Sequence, residues 1–205
     1  MRYSICATLG LVVLISSPCV VAQNLAVNGE FDTDILGWTP LGADFTAEWD
    51  PSDHNASPVS GSLLATNTSP VNASLAVVYC VNSIPDDQHY RFRGWVNVPP
   101  GQTASGQFEM WWDWFNNPSC VGNQVFAGGT PIMVSTSGWE FFDTGWEAAP
   151  PGTMSAWLVL GNHKNMVGPG SYQTYYDGLD FRGDRIFVDG FESGNTGVWS
   201  TTVGF

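Results

Sequence analysis

The chain has 205 residues, 19 acidic side chains against 6 Lys and Arg, and a net charge of −13. A surface of that sign repels nucleic acid and anionic lipid, and no basic cluster overrides it. Charged residues make up only 12 %, aromatics 14 %, and 23 Gly and 13 Pro break the chain into short alternating apolar runs, the pattern of an all-β sandwich or barrel.

The first 22 residues read as a signal peptide. Arg2 supplies a positive start, 9–15 is a short apolar run, and Val20-Val21-Ala22 is a small-residue cleavage site. The run is too short to span a bilayer. A lipoprotein reading of Cys19 is weak, because Pro18 stands where a small residue is expected. Cleavage leaves 23–205, which is enough for one sizeable core and rather little for two. The expected organisation is a signal peptide over 1–22, one β domain over 23–181 and a tail over 182–205. Such a protein is secreted or held at the cell surface, has no membrane span, and is expected to be a monomer. Cys80 and Cys120 are the cysteines left after processing, so a disulfide between them is expected. Neither has a Cys or His neighbour at metal-ligand spacing.

In chain order, 24–31 alternates Leu25 and Val27 before Asn28-Gly29 and reads as an opening strand. Further strands are expected at 45–49, 63–66 and 74–81, the last a nearly continuous apolar run. Over 90–98, Tyr90, Phe92, Val96 and Val98 face one way, while Arg91, Arg93, Trp95 and Asn97 face the other. The stretch 108–120, FEMWWDWFNNPSC, holds three of the ten tryptophans. As a strand it puts Phe108, Met110, Trp112 and Trp114 on an apolar side, opposite Glu109, Trp111, Asp113 and Phe115. Trp38 and Trp139 are expected in the core with Trp112 and Trp114. After a Gly-rich piece, strands follow at 131–136 and 139–146, then at 154–160, where Trp157 shares a side with Ser155 and Val159. A loop over 161–171 carries His163 and Lys164, and 173–181 is the last clear strand. In the tail, 186–188 reads as an edge strand.

Several pieces together resemble the carbohydrate-binding modules of the galactose-binding jelly-roll type, typified by the cellulose- and xylan-binding families 4, 9 and 22. Asn24-Leu25, Asn28-Gly29, Phe31-Asp32 and Gly37-Trp38 match their opening, with Asp32 in place of Glu. Ser60–Leu63, Tyr90–Val96, Ala149–Gly152 and Tyr175–Leu179 match later motifs, with Gly178 where a second Asp is usual. The resemblance covers about 24–181. It implies a two-sheet antiparallel jelly roll, often with a structural calcium between its first and last strands. Matching positions put Asp32 and Asp177 at that ion, with backbone oxygens near Asn28 and Gly61 as partners; oxygen-rich sets of this kind suit Ca²⁺. The tail motif GFESG…W is similar to C-terminal extensions of secreted bacterial proteins.

Trp95, Trp111 and Trp157 all fall on the mixed sides of their strands. Arg91, Arg93, Asn97, Glu109 and Asp113 accompany them. Rings beside polar groups suit a sugar, since the rings cover C–H faces and the polar atoms bond hydroxyls. A secreted, non-catalytic module that binds poly- or oligosaccharide is therefore expected. A surface adhesion or assembly protein that keeps the scaffold without sugar binding is the alternative. A glycosidase fits less well. Glu109 and Asp113 stand about 13 Å apart along one strand, beyond the separations such enzymes use, and neither G-x-S-x-G nor H-E-x-x-H occurs.

Overall fold

The computed structural model describes residues 23–184 apart from 123, 135 and 137. The expected signal peptide and the edge strand at 186–188 lie outside the described residues. Eleven strands form two antiparallel sheets, and no helix occurs among the described residues. The first sheet runs β1 (Thr39–Leu41), β4 (Ala73–Asn82), β10 (Ser155–Lys164), β6 (Gly106–Phe115) and β7 (Gln124–Val134). The second runs β2 (Phe45–Asp50), β3 (Ser62–Asn67), β11 (Tyr172–Gly183), β5 (His89–Asn97) and β8 (Trp139–Asp143), with the short β9 (Glu147–Ala148) also on β5. The architecture is the expected all-β jelly-roll sandwich.

Period-two alternation makes the core. Phe108, Met110, Trp112 and Trp114 of β6 face Tyr90, Phe92 and Val96 of β5 and Tyr176, Leu179 and Phe181 of β11, all buried. Rings meet edge to face across the layers, as between Trp112 and Phe181, with centroids 5.6 Å apart. Trp38 is buried against Phe31 and Tyr79 at one side. The expected disulfide is present: Cys80 at the end of β4 binds Cys120 in the loop after β6. That loop reaches across the start of β10, where Ser155 Oγ accepts from Cys120 N at 3.1 Å.

Four expectations are corrected. Residues 24–31 are not a strand but a looped segment laid on β11. The Asn24 amide donates to Leu179 O and accepts from Phe181 N, and Leu25 N donates to Phe181 O. Contact there is so close that a Cβ on Gly29 would fall 2.3 Å from Leu179 O. The Gly-rich piece after Cys120 is the first half of β7 rather than a loop. The strand placed at 154–160 runs on to Lys164, because its polar end is buried: Lys164 Nζ donates to Ser69 O and Gly168 O at 2.5 and 2.8 Å. Trp139 is not core. It lies half-buried on the outer face of the second sheet.

Candidate functional site

Register decides which expected ligand residues meet. On the outer face of the first sheet, Trp157 of β10 stands opposite Cys80 of β4 and Asp113 of β6, and Val159 stands between Val78 and Trp111. Trp111 and Trp157 are therefore diagonal neighbours, with Cβ atoms roughly 7–8 Å apart. Both are half-exposed. Phe115 braces Trp157 edge to face at 5.2 Å.

The two acids of this face are held differently. Glu109 is 7 % exposed; Ser74 Oγ donates to its Oε2, and His163 Nδ1 lies 3.6 Å from its Oε1. Neither partner could be placed while His163 was read as loop. Asp113 accepts from Gln124 Nε2 at 2.7 Å. Burial pushes its carboxyl above the usual range, against a hydrogen bond from Trp111 that lowers it. Gly161 forms the floor beside Glu109 and Trp111: a Cβ there would meet Glu109 Cβ at 2.7 Å and the Trp111 ring at 2.8 Å. The result is an open platform of two rings and two oriented acceptors.

Trp95, Arg91, Arg93 and Asn97 are not part of it. They lie on β5, on the outer face of the other sheet. His54 stacks on Trp95, with centroids 5.0 Å apart and planes 17° apart, and Phe141 meets the same ring edge-on. The arginines are engaged too. Arg93 Nε donates to Asp180 at 2.6 Å; Arg91 lies 3.6 Å from Asp143 and 4.6 Å over the Trp146 ring. Alternation along a strand cannot say which sheet the strand joins, so these residues looked equivalent in sequence to those of β6 and β10.

The expected calcium residues are also redistributed. Asp177 is buried, and its Oδ2 accepts from His54 N at 3.0 Å and lies 2.8 Å from His54 Nδ1. Asp53 joins these two in a compact cluster. Glu30 has an exposed side chain, but crowding by the surrounding chain together with Asp177, Asp32 and Asp53 pushes its carboxyl up, only partly offset by His54. Asp32 itself is exposed. The Asn28 side-chain amide donates to Asp34 and to Leu36 O, and Gly61 N donates to Phe31 O. Neighbouring carboxylates raise the proton affinity of Glu30, while burial raises that of Asp177 and hydrogen bonds lower that of Asp53; carboxylate oxygens gathered in this way are of the kind a hard cation takes. The compact group the structure shows is Asp53, His54 and Asp177, and of the four expected positions Asp177 belongs to it. Gly178 replaces the usual second Asp for a local reason: it has φ +56° at a β-bulge, and a Cβ would come 3.1 Å from Trp95.

No protein-family profile and no curated protein sequence matches the chain. Solved structures do match its fold. The CBM22-1 xylan-binding domain of Paenibacillus barcinonensis Xyn10C has TM-score 0.56 at 13 % identity, over 79 % of this chain and 95 % of that one. The C-terminal family 22 carbohydrate-binding module of Clostridium thermocellum Xyn10B has 0.56 at 16 %, over 79 % and 99 %. The enzymatically active domain of the bacteriophage CBA120 tailspike protein 4 has 0.56 at 17 %, over 78 % of this chain. These likenesses are of fold: the chain shares a two-sheet β-sandwich with those domains. Within larger proteins the match is partial. The chain spans 21 % of the tailspike domain, 61 % of a β-sandwich carbohydrate-binding module chain and 27 % of an arabinofuranosidase chain. Among the described residues no helix is long and apolar enough to cross a membrane.

Proposed function

We propose that the chain is a secreted, non-catalytic carbohydrate-binding module that takes poly- or oligosaccharide on the outer face of its first sheet. The observation that carries this is the pairing of half-exposed Trp111 and Trp157, diagonal across β6 and β10, with Glu109 and Asp113 beside them. Rings at that spacing cover successive C–H faces of a glycan, and the carboxylates accept from its hydroxyls. Glu109 and Asp113 stand four residues apart on one strand, about 13 Å by strand rise and beyond the separations glycosidases use, which supports binding over hydrolysis. A calcium ion, held by Glu30, Asp53 and Asp177, would have a structural part: it would tie the 28–32 segment to β11 and neutralise the carboxylates there.

The test is affinity electrophoresis of residues 23–205 through gels containing neutral polysaccharides, with Trp111→Ala and Trp157→Ala beside the parent. Retardation that weakens about tenfold or more in both variants, with circular dichroism unchanged, is the expected result. Retardation of both variants equal to the parent would refute the assignment of this face.

A further inference from the structure

The outer face of the second sheet carries a row that crosses all five strands of its path: Glu48 on β2, Leu64 on β3, Tyr175 on β11, Asn97 on β5 and Trp139 on β8. The Tyr175 and Trp139 rings have centroids 6.3 Å apart and are both half-exposed. Asn97 lies between them in register, and its Oδ1 is buried with no hydrogen-bond partner among the described residues. Beyond Tyr175 the row opens into a cleft of about 150 Å³, lined by Gln102, Thr103, Ser171, Gln173 and the turn at 99–101.

The cleft is built in advance by the chain's own bonds. Gln102 donates to Pro99 O and Gln173 O at 3.0 and 3.2 Å and accepts from Gln173 N at 2.9 Å. Thr103 Oγ1 accepts from Ser171 N at 2.8 Å. A ligand entering it therefore has little ordering cost to meet. Every side chain lining the cleft is uncharged. The described arginines of this face are engaged by Asp143, Asp180 and Trp146, so nothing there favours a sulfate or uronate. What remains is hydroxyls, amides, two ring faces and the Glu48 carboxylate at the β2 end of the row, which accepts from hydroxyls and repels anions, the chemistry that recognises an uncharged polyol.

We infer that this row and cleft form a second carbohydrate site, for a neutral glycan, on the opposite face of the sandwich from Trp111 and Trp157. It rests on the proposed function for the class of ligand, but it shares no residue with the first face. One molecule would then hold two glycan chains at once, and its hold on a polymer would exceed that of either face.

The experiment compares the parent with Tyr175→Ala, Tyr175→Phe, Trp139→Ala and Trp157→Ala in gels of soluble xylan, mixed-linkage β-glucan, galactomannan and polygalacturonate. Near-UV circular dichroism verifies folding, and Tyr175→Phe, which keeps the ring, guards against misfolding. The expected result is partial retardation for variants of either face, about tenfold weaker than the parent, and none when Trp157→Ala and Tyr175→Ala are combined. Parent protein alone should precipitate the polymer. If Trp157→Ala abolishes retardation and the Tyr175 and Trp139 variants match the parent, the second site is refuted and the first stands. If the reverse holds, the first is refuted and the second stands. No retardation in any neutral gel refutes both. Preference for polygalacturonate overturns the ligand class. A concentration-dependent dimer in sedimentation that Tyr175→Ala removes assigns the face to a second copy and overturns the proposal.

Discussion

Gly161 offers a way to disturb the first face without deleting any group that would touch sugar. It lies on β10 opposite Glu109, and a Cβ would approach Glu109 Cβ and Oε2 at 2.7 Å and the Trp111 ring at 2.8 Å. Carbon atoms in ordinary contact sit about 3.5–4.0 Å apart. The Gly161→Ala side chain therefore needs close to an ångström of clearance that the strand backbone does not give. Trp111 and Glu109 must tilt off the sheet, at an overpacking cost of about 1–3 kcal/mol. At about 2–4 °C per kcal/mol for a chain of this size, the melting midpoint should fall by roughly 2–12 °C. Retardation in polysaccharide gels should weaken about as far as in Trp111→Ala. Scanning calorimetry and affinity electrophoresis on one preparation read both effects. Parent-like melting and parent-like binding together would refute the idea that Gly161 is the floor of the platform.

The other expectations are simpler to state. Replacing Cys80 and Cys120 by Ser opens a loop with a sequence separation of 40 residues, and urea unfolding should show a loss of about 4 kcal/mol in the chain-entropy picture; a loss under 1 kcal/mol would speak against it. Asp113 holds its proton more tightly in the fold because it is buried, so its contribution is most favourable at acid pH and is lost as pH rises through the folded pKa. Asp113→Asn should thus gain in melting midpoint relative to the parent between pH 3 and pH 7, and a difference that stays flat over that range would contradict the assignment. Chelation with EDTA should lower the melting midpoint, and added Ca²⁺ should restore it; Asp177→Asn should blunt both responses if the carboxylate cluster holds the ion.

Much of the fold was legible because one side of most strands is uniformly apolar. The alternation of Tyr90, Phe92 and Val96, and that of Phe108, Met110, Trp112 and Trp114, predicted the inward faces that the structure shows. Where the reading failed, local chemistry imitated a loop. Gly128 on β7 is small because Trp112 lies beneath it: a Cβ would come 2.0 Å from the indole nitrogen. Asn162 and Lys164 look solvated in sequence. Both are buried, one bonding Ala65 O and Tyr172 O, the other bonding the carbonyls of Ser69 and Gly168. The candidate site was legible only strand by strand. β5 and β6 follow each other in the chain but join different sheets, and nothing in a period of two reports that crossover. Asp53, His54 and Glu30 were missed because they come from turns and meet Asp177 only in three dimensions. The sequence also holds three Asn-x-Ser glycosylation sequons, starting at Asn55, Asn67 and Asn72; Asn67 is buried with its amide bonded to Ala73 O and Asn162 O, which closes it to glycosylation in the folded chain.

The disulfide has a meaning for assembly as well as for stability. β10 lies between β4 and β6 and hydrogen-bonds to both along its whole length, yet it follows them by some forty residues or more. Long-range pairings of that kind form late and leave strand edges open meanwhile. The bridge from Cys80 to Cys120 ties the end of β4 to the loop after β6, so an oxidised chain already carries both rails of the slot at the right separation. β10 then needs only to enter a prepared gap. An oxidising compartment would thus supply a jig for the central strand of the first sheet before that strand arrives.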